Sequence, residues 1–150
     1  EGEARTVAHD LLATAISVQE KGAPVAPPGL LVAGGETTFQ VRGPGTGGRN
    51  LEVVLATVRG LRDRPIVFLS SDTDGRDGET DVAGALADGE SLGRARAGGW
   101  DPGDFQSESD SYGFFSRLGD TIRTGPTGTN VMDLQLVLIG PAPQPRADRT

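Results

Sequence analysis

The chain has 150 residues, with 14 basic and 21 acidic side chains and a formal charge of −7. That balance leaves no basic surplus to displace counterions from phosphates, which argues against a nucleic-acid-binding role. The absence of cysteine removes disulfides, zinc–thiolate centres and thiol catalysis, and the one histidine, His9, cannot build a histidine metal cluster. No apolar run approaches the ~18 residues of a membrane span, and no signal peptide is recognised, so a soluble, cytoplasmic protein is expected. The chain starts at Glu1 and its only methionine is Met132, which reads as a start trimmed of something upstream or as one piece of a larger polypeptide.

Residues 1–22 read as a leading amphipathic helix. Val7, Leu11, Ala15 and Val18 recur at helical spacing, Glu1 and Glu3 suit its positive end, and Gly22 suits its C-terminal cap. Residues 23–29, with Pro24, Pro27 and Pro28, form a stiff connector. Residues 30–140 are expected to be one α/β domain. Within it, Leu30 to Ala33 reads as a buried strand and Thr37 to Arg42 as an alternating one. A glycine-rich loop from Gly43 to Asn50 leads into a helix carrying Leu51, Val54, Leu55 and Val58. Pro65 opens a buried strand, Ile66 to Leu69, and an Asp/Gly-rich loop follows to Gly78. Helices are predicted over Thr80 to Leu86, over Ser91 to Ala97, and from Asp101-Pro102. Ser109 is placed to cap a further helix that buries Tyr112, Phe115 and Leu118 and stops at Gly119. Asp120 to Thr124 and Leu134 to Ile139 complete the strands, and residues 141–150 read as a flexible tail. The alternation predicts a layered α/β/α domain with a mixed sheet and glycine-rich loops at strand ends.

Four segments can carry chemistry. Gly34-Gly35-Glu36-Thr37-Thr38 reads either as a tight turn or as a close backbone approach to a ligand. In the second, Gly43, Gly45 and Gly48 fit GxGxxG, while Gly43 and Gly48 fit the glycine spacing of a phosphate loop. Arg49-Asn50 stands there in place of Lys-Ser/Thr, and the polar strand before it argues against a dinucleotide site. A helix N-terminus with bare amides, joined by Arg49, would suit an anion; a flexible turn is the alternative. The third segment places Asp72, Asp74, Asp77 and Asp81 within ten residues, which suits Mg²⁺ or a solvated loop. The fourth, Gly125 to Asn130, offers hydroxyls and amides for an anion, or an ordinary turn. His9, off the apolar seam, reads as exposed.

Taken in order and spacing, GGETTF, GGRN followed by Glu52, TDGRDG with Thr80-Asp81, SDSYGFF and GPTGTNV resemble the C-terminal domain of the glycerate 2-kinase family. That module is called MOFRL, and its proteins are often also labelled hydroxypyruvate reductases. The resemblance covers about residues 1–140, with Leu51, Asp72, Glu79 and Met132 departing from the usual residues.

The resemblance implies ATP- and Mg²⁺-dependent phosphorylation of D-glycerate to 2-phosphoglycerate. It implies a cleft shared with a larger, Rossmann-like N-terminal domain that these residues do not contain. Carried over by position, Arg49, Asp74 and Asp77 are the catalytic candidates, with Arg49 holding a phosphate or the glycerate carboxylate and Asp74 and Asp77 placing Mg²⁺ or substrate. Gly35, Glu36, Thr37, Gly47, Gly48, Asn50, Thr127, Gly128, Thr129 and Asn130 would line the substrate and phosphate site. The alternatives are an NAD(P)H-dependent hydroxypyruvate reductase and a non-enzymatic binding or partner module. A homodimer is left open.

Overall fold

A computed structural model describes residues 2–141; the rest of the expected tail lies outside the described residues. The first strand, β1 (Gly2–Glu3), leads directly into helix α1 (Ala4–Lys21). The Glu3 carboxylate accepts from the Arg5 and Thr6 amides at 3.0 and 3.1 Å, which caps the helix. At the other end Gly22 takes φ 65° and its amide donates to the Val18 carbonyl, as expected for a left-handed glycine cap. The buried seam is Ala4, Ala8, Leu12, Ala15 and Val18, one residue along from the expected Val7–Leu11 line. Small alanines on this seam let α1 lie close to helix α2 (Arg49–Leu61). Leu12 packs so tightly on Gly60 that its Cδ2 lies 2.5 Å from where a Cβ would stand.

The main sheet has five strands in the order β2 (Gly29–Gly35), β7 (Asp133–Ile139), β4 (Ile66–Asp72), β5 (Gly84–Ala87), β6 (Thr121–Ile122). Every pairing in it is antiparallel. Parallel pairing is confined to the two-residue ribbon of β1 with β3 (Thr37–Thr38). The α/β class is as expected, with both senses of pairing present but in separate sheets. Ile66, Phe68, Val137 and Ile139 face one way into a core completed by Leu51, Val54 and Val58 of α2. Helices α3 (Ser91–Ala97), α4 (Pro102–Ser107) and α5 (Ser111–Leu118) all gather around α2. The helices thus cover one face, giving two layers among the described residues where three were expected.

Several local expectations change. Leu30 to Ala33 is part of the edge strand, with Leu30 and Val32 exposed, so it is not buried on both faces. Thr37 to Arg42 keeps strand pairing only at its first two residues. Beyond them the chain runs along Glu108 and Ser109, where the Arg42 amide donates to Ser109 Oγ at 2.9 Å and the Gly45 amide to the Glu108 carbonyl at 2.8 Å. No helix forms over Thr80 to Leu86: residues 80–83 are bends, and from Gly84 the chain is strand β5, whose pairing with β4 overrides the helix propensity of its alanines. Asp110, not Ser109, caps α5, its carboxylate accepting from Gly113 N at 3.3 Å. No helix among the described residues is long and apolar enough to cross a membrane.

Two glycines separate packing from helix propensity. A Cβ at Gly84 would overlap the Ser70 carbonyl, whereas one at Gly93, inside α3, would meet nothing within 4 Å. Gly84→Ala is expected to cost about 1–3 kcal/mol in urea unfolding through forced overpacking. Gly93→Ala is expected to stabilise by about 0.5–1 kcal/mol. Equal effects of the two would contradict this packing.

Candidate functional site

The loops expected to carry chemistry meet at one end of the sheet, where β2 and β4 finish and β7 begins. The register sets Asp72 of β4 directly opposite Asp133 of β7. Like charges so placed repel unless a cation lies between them. Arg49, the first residue of α2, supplies it: Nε lies 3.1 Å from Asp133 Oδ1 and Nη2 3.0 Å from Asp72 Oδ2. Its remaining nitrogen, Nη1, donates to Glu36 in the loop after β2. Asp72 and Asp133 are buried, while Glu36 is exposed. Arg49 therefore has three carboxylate partners, and Glu36 is the one solvent can displace.

Asn50 extends the network inward. Its side-chain amide donates to Asp133 Oδ1 at 2.9 Å and to Asp77 Oδ1 at 3.3 Å, and its Oδ1 accepts from Ser70 Oγ at 2.5 Å. Gln135 closes the chain by donating to Ser70 Oγ at 3.3 Å. Asp77 is 0 % exposed and accepts from the Asn50 and Leu51 amides at 3.1 and 2.8 Å. It therefore caps α2 from inside the protein. Two features follow from this geometry. The first-turn amides of Asn50 and Leu51 are taken, so they are not bare donors for an anion. Asp77 is fully buried, whereas Asp74 is partly exposed.

The glycines of the second loop have another physical reason. A Cβ at Gly48 would overlap the Asp77 carboxylate, one at Gly47 would overlap Ser111 Oγ, and Gly43 and Gly45 press on Glu108 and Asp110. Their lack of side chains brings two loops together and lets Asp77 reach the helix. Gly35, by contrast, takes φ 143° with open space around it and aims Glu36 at Arg49. Thr37 is buried, and its amide reaches Asp133 at 3.4 Å.

Asp74 is the partly exposed acid of the cluster. Its amide donates to Asp72 Oδ1 at 3.1 Å, and its Oδ2 accepts from Asn130 Nδ2 at 3.5 Å. The loop from Gly125 to Asn130 is strapped over it: Thr127 Oγ1 donates to the Thr73 carbonyl at 2.5 Å and its amide to the Asp74 carbonyl at 3.2 Å. Gly128 turns this loop at φ 77°, and the Thr129 amide donates to Thr127 Oγ1 at 3.4 Å. The loop's polar groups thus largely serve one another. Beside Asp74, an open depression of about 670 Å³ runs past Arg76, Glu79, Asp81 and Pro126. Among the described residues no three acids or imidazoles converge as a metal cage. Asp74 alone fits the one-carboxylate, phosphate-assisted way Mg²⁺ is commonly bound.

Arg49, Glu36, Asn50, Asp74 and the 127–130 loop are therefore brought to one place, while Gly47, Gly48 and Asp77 support it from below. Glu52 lies elsewhere, buried beside Arg5 at 3.5 Å; burial pushes its carboxyl up, against the pull of Arg5. His9 is exposed. Two residues of the cluster did not stand out in the sequence as site residues: Asp133, and Asp72 as a partner of Arg49. Their signal is the strand register, which places them face to face.

Burial pushes the Asp77 carboxyl up to about 6, against the Leu51 and Asn50 amides, which favour its charged form. Burial also raises Asp72. The folded chain holds the Asp77 proton more tightly than the unfolded one. Its contribution to stability is thus fully present below the unfolded value of 3.8 and is lost as pH rises through about 6. Urea unfolding between pH 4 and 7 should show wild type losing stability relative to Asp77→Asn as pH rises. A difference that stays constant with pH would contradict the buried placement.

Comparison with known proteins agrees with the fold and with the order of the loops. The MOFRL family model matches residues 29–133. A D-glycerate 2-kinase from Thermotoga maritima is 39% identical over 91% of this chain and 33% of its own length. A glycerate 2-kinase from Pyrococcus horikoshii is 37% identical over 93% of this chain and 32% of its own. An Agrobacterium vitis protein that carries the name hydroxypyruvate reductase is 43% identical over 93% of this chain and 33% of its own. The crystal structure of the Thermotoga maritima glycerate kinase superposes with a TM-score of 0.89, covering 92% of this chain and 34% of that one. The chain thus spans about a third of the length of the relatives it matches. With the family model matched over most of its length, the chain belongs to the MOFRL family.

Proposed function

We propose that this chain is the C-terminal domain of a D-glycerate 2-kinase, which transfers the terminal phosphoryl group of ATP to the 2-hydroxyl of D-glycerate. The observation that carries the reading is the carboxylate cluster around Arg49, at one open end of the sheet, in a chain that matches named glycerate kinases along nearly its whole length. Phosphoryl transfer depends on positioning and charge neutralisation more than on covalent chemistry. Here Asp72, Asp133 and Glu36 outnumber Arg49, so this half of the site is poorly suited to hold the phosphates of ATP by itself. Cations for the phosphates fall to Mg²⁺ and to the rest of the protein, as does the nucleotide pocket.

Within this half, the outward Nη1 of Arg49 receives the glycerate carboxylate in exchange for Glu36. That swap replaces one carboxylate by another and leaves the local charge unchanged. Asp74 would hold Mg²⁺ by its one carboxylate, and Thr127, Thr129 and Asn130 would border the substrate. Asp77 and Asn50 hold the Arg49 backbone in position. Mg²⁺, when bound, neutralises charge on the transferring phosphoryl group. The reductase reading has support in the names of the Agrobacterium relatives. The loop glycines, however, serve contacts with residues 108–111 and Asp77, not a pyrophosphate.

Thermal melts of the chain with D-glycerate, Mg²⁺-ATP and NADH added separately test the reading. Ligand at a hundred times its Kd adds about 2.7 kcal/mol, a shift of several degrees. D-glycerate is expected to raise Tm and NADH is not; a rise with NADH alone would favour the reductase. The chain alone should show no steady-state phosphorylation of D-glycerate. A sustained rate from these 150 residues would overturn its assignment as one part of the site.

A further inference from the structure

One positive charge is set among four negative ones at the end of the sheet. Asp72 and Asp133 flank Arg49 from adjacent strands, Glu36 takes its Nη1, and Asp74 is anchored on Asp72, its amide donating to the Asp72 carboxylate at 3.1 Å. These acids differ in their freedom. The side chains of Asp72 and Asp133 are buried, whereas that of Glu36 is 54% exposed. The residue before it, Gly35, has no atom within 4 Å of where a Cβ would stand, so the loop has room to swing. The residue after it, Thr37, is buried and tied through its amide to Asp133 at 3.4 Å. Glu36 can therefore leave Arg49, but only on a short tether.

The tether matters for any anion that takes Nη1. A ligand with one carboxylate replaces the charge that Glu36 withdraws, and the exchange is neutral. The displaced Glu36 charge nevertheless stays close to whatever the ligand carries on the carbon beside its carboxylate, and Asp74 adds to the same field. A hydroxyl on that carbon is neutral and can donate to a carboxylate. A phosphate on that hydroxyl brings up to about two further negative charges into the same space. Even in bulk water, one like charge at about 4 Å weakens binding about fivefold. Arg49 has little left to offset this, because its Nε and Nη2 are committed to Asp133 and Asp72.

We infer that Glu36 is a specificity-determining residue, a built-in competitor for Arg49 that admits a singly charged 2-hydroxy carboxylate and rejects the same molecule once its hydroxyl carries a phosphate. The selection is by charge and not by shape. Within the proposed function the two ligands are substrate and product, and Glu36 reclaiming Arg49 favours product release. The inference rests on that reading only for the names of the ligands.

Isothermal titration of the chain, at fixed ionic strength and without divalent cations, tests it with D-glycerate against 2-phosphoglycerate and with D-lactate against its 2-phosphate ester. D-glycerate is expected to bind about tenfold or more tighter than 2-phosphoglycerate. Glu36→Gln should tighten both and narrow that gap about threefold or more. Glu90→Gln removes the same charge at the opposite end of the sheet and should change neither affinity. Equal affinity of the wild type for the two ligands would overturn the inference. So would a gap that Glu36→Gln leaves as it was, a gap that Glu90→Gln closes equally, or binding of neither ligand to either protein. The lactate pair separates this inference from the functional reading. If that pair shows the same gap and the same response while D-glycerate binds no better than D-lactate, the glycerate reading fails and the role of Glu36 stands. If D-glycerate is preferred but the gap ignores Glu36, the inference fails alone.

Discussion

Two aspartates face each other across adjacent strands, and one arginine makes that arrangement tolerable. Asp72 and Asp133 are both buried at the end of the sheet, where their charges would repel. Arg49 bridges them from the first turn of α2 and holds Glu36 with its third nitrogen position. Removing one member of such a buried set leaves an uncompensated charge, typically at a cost of about 3–5 kcal/mol. The start of α2, the end of β4 and the start of β7 are therefore tied to one another by charge. The exposed groups of the candidate site, Glu36 and Asp74, inherit their places from that tie.

Asn50 and Asp77 give the tie its depth. The Asp77 carboxylate occupies the helix N-terminus, a position at which many proteins bind a ligand anion. This protein fills it with its own side chain. The glycines at 47 and 48 follow from that choice, since any side chain there would collide with Ser111 or Asp77. A glycine-rich loop before a helix thus has two unrelated physical origins, ligand approach and protein approach. Here protein approach accounts for it.

Much of the fold was legible in the sequence. The caps of α1, the core positions of α2, and strands β4 and β7 follow from periodicity and turn residues. The motif series identified the family, and its loops do converge on one sheet end. What was not legible depended on contacts distant in sequence. Helix propensity at Ala85 and Leu86 gave no hint of the pairing with β4 that makes their segment a strand. Asp77 looked equivalent to Asp74 within TDGRDG, yet one is buried under a helix and the other opens to solvent. Asp133 resembled an ordinary strand start until the register set it against Asp72. The apolar runs at Leu30 and Leu134 read as buried strands, yet Leu30, Val32 and Leu138 are exposed among the described residues.

A double-mutant cycle between Arg49→Met and Asp133→Asn, measured by urea unfolding, addresses the central interaction most directly. If the arginine holds the opposed aspartates in place, each single change is costly and the double change recovers part of the loss, with a coupling of about 2 kcal/mol or more. Additive effects, with coupling below about 0.5 kcal/mol, would show that the site end of the sheet is organised without this ion pair.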